Sequence, residues 1–196
     1  MGLRSIKDRM VNPNMSADDV LAFWLHAGPK KWFAKDEAFD GSIRDGFETL
    51  HLRASRGELA DWAANAPGAL ALLLLLDQFP RNLYRGSAHA FATDPLALAT
   101  THGAIDRGFD QEVAPGLRPF FYLPYEHSER MADQDRSIAL CEKHRDATGD
   151  ADTLKWAHLH RDIIQRFGRF PHRNRCLGRA TTPEEQAFLD GGGFSG

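Results

Sequence analysis

Residues 69–80 read ALALLLLLDQFP, and the first eight of them are all apolar. A helix on the surface of a globular protein shows one apolar stripe, so a segment apolar on every side belongs to a helix buried in the middle. A buried strand would suit the length, but Leu and Ala favour helix and no β-branched residue appears. Pro80 lacks an N–H and disfavours helix at Phe79, so the helix is expected to stop there.

Helical periodicity extends outward from this centre. Ser16 with Asp19 makes a start resembling a capping box, and Gly28-Pro29 stops that helix. Ile43, Phe47, Leu50 and Ala54 form one stripe, closed by Gly57. A short helix is expected over Leu59–Ala64, and Pro67 suits a first turn. Asp94-Pro95 opens another helix, which Gly108 closes. Residues 109–126, rich in proline and aromatics, are expected to be an irregular connector. Helices then follow from about Ser128 to Thr148, and from a cap at Asp152 with Trp156, Leu159, Ile163 and Phe167 on one face. Thr182, Pro183 and Glu185 cap a last short helix. No alternating strand pattern of useful length appears. The expected fold is all-α: seven to nine helices stacked antiparallel in a single domain over 17–190, with an N-terminal arm at 1–16 and a frayed tail at 191–196.

Composition removes several function classes. The 196 residues hold 24 Lys and Arg against 27 Asp and Glu, a net charge of −3 that gives no basic face for nucleic acid. The apolar run Ala69–Leu76 is about half a bilayer span, so no membrane partner is expected. Met1–Asn14 contains no apolar signal region, and two cysteines, Cys141 and Cys176, are too few for a disulfide framework. A cytoplasmic location follows as the expectation.

Two segments echo each other: DQFPRNLYRG at 77–86 and GRFPHRNRCLGR at 168–179, each with Phe-Pro and then Arg-Asn. Arginines crowd both: Arg81 and Arg85 in the first, Arg166, Arg169, Arg173, Arg175 and Arg179 in or beside the second. Guanidinium forks hold carboxylate or phosphate, and Asn82 and Asn174 add amide donors. If the two segments converge, they make a concave anion site. The alternative is that these arginines satisfy helix-end carbonyls and pair with local acids such as Asp77.

YEHSE at 125–129 offers His127, Ser128, Glu126 and Glu129 together, an inventory for acid–base chemistry. Ser128 is also a natural N-cap. Metal spacing is absent: His158 and His160 are two apart and do not share a helix face. No nucleophile elbow or phosphate loop occurs, so no cofactor is expected. The aromatic run Phe120–Tyr125 is the candidate pocket wall.

FWL at Phe23–Leu25, LDQFPRN from Leu76, FFYLPYEHSE from Phe120, RFGRFPHRN from Arg166 and LGRATTPEE from Leu177 resemble the bacterial domain-of-unknown-function family 924, over about Ala17–Leu189. The resemblance implies an all-helical fold like the tetratricopeptide (TPR) superfamily and supplies no activity. Its motifs fall on Asp77, Gln78, Arg81, Asn82, His127, Ser128, Glu129, Arg166, Arg169, His172, Arg173, Asn174 and Arg179, and Tyr125 is a small departure. The expected function is a pocket for a small anionic molecule. In it Asp77, Arg81, Asn82, Arg169, His172, Arg173 and Asn174 bind the ligand, and His127 and Glu129 carry any chemistry. Arg81→Ala is expected to abolish binding at a stability cost of no more than about 2 kcal/mol. The alternatives are a TPR-like module that binds a peptide or protein, and loops that merely terminate helices.

Overall fold

The computed structural model describes residues 15–195. The expected arm over 1–16, apart from Met15 and Ser16, and Gly196 of the expected tail lie outside the described residues. Within them every regular element is helical. The helices are α1 (Ala17–Ala27), α2 (Pro29–Trp32), α3 (Glu37–Ser55), α4 (Ala66–Leu73), α5 (Phe79–Leu83), α6 (Asp94–Asp106), α7 (Pro119–Glu126), α8 (Met131–Thr148), α9 (Ala151–Phe167) and α10 (Pro183–Asp190).

Local signals set most boundaries. Ser16 and Asp19 close a full capping box on α1, and Thr182 and Glu185 close another on α10. Asn65 accepts from the Gly68 N–H at the head of α4, and a Cβ at Gly68 would overlap the Trp62 carbonyl, so that helix start admits only glycine. The cap of α9 is Asp150, two residues before the expected Asp152, with Gly149 left-handed (φ +80°) between α8 and α9.

Two expectations fail for identifiable reasons. Pro80 does not end the central helix: a π-helical turn over Leu74–Gln78 carries the chain from α4 straight into α5. The carbonyls four and five residues before Pro80, which its missing N–H cannot serve, accept side chains instead. Thr93 Oγ1 donates to Leu76 O at 2.6 Å, and His51 Nδ1 meets Leu75 O at 2.8 Å. The 109–126 connector is mostly short helix, and Pro119–Glu126 is α-helical, its first residue a proline in the turn that needs no N–H.

One large apolar core joins α1, α3, α4, the π turn and α7, with Leu70, Leu73, Leu74, Leu75 and Phe79 fully buried. Trp24 stacks on Trp32 at 5.8 Å, and Phe120 meets both rings edge-on. A smaller cluster of Ile163, Ile164 and Phe170 gathers Phe188 and Phe194 under the end of the chain. α7 packs on both the π turn and α9, and Glu129 just beyond it accepts from the Phe170 N–H after α9.

Candidate functional site

The extra residue of the π turn places the Asp77 carboxylate inside the protein, 1% exposed. Gln78 Nε2 donates to one oxygen at 2.5 Å, and His127 Nδ1 meets the other at 2.8 Å. Arg81, one turn on, lies 3.3 Å from Asp77 and forms a two-pronged pair with Asp94 at 2.9 and 3.1 Å. Burial alone would raise the Asp77 carboxyl, but Arg81, His127 and Gln78 outweigh it and hold it well below the usual carboxylate range.

His127 follows the last residue of α7. It opens the short link, residues 127–130, that leads into α8. Gln134, fully buried on α8, donates Nε2 to the carbonyls of Glu126 and Ser128 on either side of it, both at 2.7 Å, and so fixes the ring's backbone. Burial and the nearby Arg81 push the imidazole down to about 4. The ring is therefore neutral at pH 7. With Nδ1–H donated to Asp77, Nε2 carries the lone pair. Ser128 is not the N-cap of α8. It accepts from the Arg130 N–H at 3.3 Å and donates to Asp133 at 2.6 Å.

The echo segments meet. Arg173 Nη1 reaches Asp94 Oδ2 at 3.5 Å, the same carboxylate that Arg81 grips. Its guanidinium carbon sits 4.6 Å from the Phe91 ring and 4.4 Å from the Phe170 ring. Arg173 is only 6% exposed, and its Nε is buried with no partner among the described residues. Burial and the charge of Arg81 bring it down to about 10, still protonated at neutral pH. Next to it, His172 has a buried Nδ1 without a partner among the described residues, and burial followed by Arg173 pushes its imidazole down to about 3.

The structure thus brings Asp77, Arg81, His127, His172 and Arg173 together, and distributes the other candidates elsewhere. Asn82 donates to Asp40 at 2.7 Å beside Arg85, tying α5 to α3. Arg169 and Asn174 both bind Glu185 of α10. Glu129 accepts a two-pronged pair from Arg179 and the Phe170 N–H, so it clamps the segment after α9. The aromatic run Phe120–Tyr125 faces the core: Tyr122, for instance, donates its hydroxyl to buried Asp110 at 2.8 Å. The walls of the cluster are instead Phe91 and Phe170. Sequence reasoning missed Asp94, read only as a helix start, and Phe91, which no local pattern marks. It also missed His160, whose Nδ1 lies 3.3 Å from buried Glu126 and whose ring lies 6.2 Å from that of His127. Among the described residues no group of three or more His, Cys, Asp or Glu is placed to hold a metal ion, and no helix is long and apolar enough to cross a membrane.

No curated protein matches the chain. A solved structure of a protein of unknown function, ATU0120 from Agrobacterium tumefaciens, is similar at 51% identity and a TM-score of 0.85, over 89% of this chain and 97% of that one. Residues 20–193 match the family described as bacterial protein of unknown function (DUF924), which takes in every residue of the cluster, and the chain belongs to that family.

Proposed function

We propose that the protein binds a small carboxylate- or phosphate-bearing molecule at Arg173. The observation that carries this reading is the buried guanidinium whose Nε has no partner and whose one ion-pair contact is long. A buried charge left partly unpaired is costly, and an incoming anion supplies the acceptor that the protein does not. The fork is already oriented between Phe91 and Phe170, so little side-chain freedom is lost on binding. His127 Nε2 offers an acceptor nearby for a hydroxyl or amide of the same molecule. An imidazole held near 4 is a weak base at neutral pH, and Ser128 is engaged by Asp133, so the reading is of binding, with catalysis at His127 dependent on a ligand that raises its pKa.

A thermal-shift panel of carboxylates, phosphates, nucleotides and divalent metals tests it. A ligand at a hundred times its dissociation constant adds about 2.7 kcal/mol. We expect one anion class to stabilise the protein, and Arg173→Met to abolish that gain while staying folded. A flat panel with a folded variant overturns the reading, and favours a peptide-binding module instead. We further propose a cytoplasmic location and small-molecule partners, on the net charge of −3 and the two unpaired cysteines. A tetratricopeptide-like stack is also proposed, on the way α6, α7, α8 and α9 pack each on the next.

A further inference from the structure

Beyond α10 the chain turns back on the site. Gly191, Gly192 and Gly193 donate their N–H groups to Ala187, Leu189 and Phe188 at 3.0, 3.1 and 2.9 Å. Gly192 is left-handed at φ +81°, and a Cβ on Gly193 would collide with the Phe188 ring. Residues read from the sequence as a frayed tail are in this way set into a tight return that lays Phe194 on the cluster. Its ring centroid is 4.7 Å from His160 and 5.2 Å from His172, edge-on to both, and 6.5 Å from Trp156. Among the described residues no hydrogen bond holds Phe194 or Ser195, so apolar packing and ring contacts keep the cover in place. Beneath it are the unpartnered His172 Nδ1, then Phe170 at 5.6 Å from that imidazole, then Arg173 against Phe170. The lid is apolar and weakly tied, while the floor is polar and incompletely paired.

We propose that Phe194 is a displaceable plug and that the ligand is an anion carrying a flat apolar ring, its charged end on Arg173 and its ring in the place Phe194 leaves. This rests on the anion-site reading above and names the rest of the molecule. A bare anion has nothing to set against the histidine faces that Phe194 covers. An aromatic ring does, because it renews the same edge-to-face contacts while the charged end pairs with the guanidinium. The three glycines supply the backbone freedom for the return to open.

Calorimetric titration of the full chain with benzoate, phenylacetate, 3-phenylpropionate and phenyl phosphate, against acetate and inorganic phosphate, separates the two readings. We expect the preferred ring-bearing anion to bind about tenfold tighter than its bare counterpart, one ring's burial being of that order. Its binding should also change Trp156 emission, a signal absent from Trp156→Phe. Phe194→Ala, or removal of residues 194–196, should tighten ring-bearing anions several-fold and leave bare anions unchanged. Arg173→Met should bind neither. Rings that add nothing to an Arg173-dependent bare-anion affinity overturn the plug alone, as does a Phe194→Ala variant that binds ring-bearing anions more weakly. No binding by any probe overturns both readings.

Discussion

Arg81 and Arg173 reach the same carboxylate from opposite energetic positions. Arg81 lies between Asp77 and Asp94, and the two acids favour its charge against the cost of burial. Its removal would leave Asp77, 1% exposed, with only His127 and Gln78. Breaking a buried pair in this way costs about 3 kcal/mol, because one charge is left uncompensated. Arg173 has an unpartnered Nε and one contact at 3.5 Å, while Asp94 keeps its closer pair with Arg81 if Arg173 is lost. Methionine fills much of the same space between Phe91 and Phe170 without a charge to desolvate. Urea denaturation should therefore find Arg81→Met less stable by about 3 kcal/mol, and Arg173→Met within about 1 kcal/mol of the parent in either direction. The small stability cost that the sequence reading assigns to replacing Arg81 is thus expected at Arg173 instead. A large loss in Arg173→Met would class it with the structural arginines.

At the scale of elements, one buried carboxylate gathers most of the polar ties of α10, beside the Arg166–Glu184 pair and the Phe167–Phe188 contact. Glu185, 2% exposed, accepts Arg169 at 2.6 and 2.8 Å, Asn174 at 3.2 Å and the Thr182 N–H at 2.7 Å. Arg169 above all holds its carboxyl down to about 2. A helix of eight residues is too short to persist without such a tie. Glu185→Gln keeps the shape but surrenders the charge-assisted bonds. It is expected to cost about 2 kcal/mol and to speed amide exchange in α10 well before the rest of the protein opens. Exchange that rises equally in α4 would mean that α10 and the core form one cooperative unit. The half of this arrangement that is local was legible in sequence: Thr182, Pro183 and Glu185 announce a capping box. That Arg169 and Asn174 converge on Glu185 was not, because those contacts join residues sixteen and eleven positions apart with no periodic signal. The central helix divides likewise. Its burial could be read from ALALLLLL, but its survival through Pro80 depends on His51 and Thr93, which lie far along the chain. The Phe-Pro echo pointed correctly to two converging segments. Asp94, the residue on which they meet, looked like an ordinary helix start.

Across the whole molecule, the cluster ties stability to pH above the carboxylate range. An unfolded imidazole titrates near 6.5. Burial and Arg81 take His127 to about 4, and burial and Arg173 take His172 to about 3. Burial lowers His51 as well. Each folded-state pKa is lower than its unfolded value, so below pH 6.5 the unfolded chain binds more protons and stability falls as pH falls. The loss through His127 levels off near pH 4, and that through His172 near pH 3. The carboxylates held low, Asp77 and Glu185 among them, add their loss only below their ordinary values of 3.8 and 4.5, so the decline between pH 7.5 and 5.5 belongs to the imidazoles. At pH 5.5 each of the two imidazoles costs about 1 kcal/mol relative to pH 7.5. Urea unfolding at pH 7.5, 6.5 and 5.5 should trace this decline, and His172→Gln, which has nothing to protonate there, should retain about 1 kcal/mol of it. An anion on Arg173 would raise both imidazoles and flatten the acid limb, so the same titration repeated with ligand reports occupancy without an assay of activity. Stability unchanged between pH 7.5 and 5.5 would mean that the rings take up protons freely, and that the cluster is not the buried, incompletely paired site on which the functional reading stands.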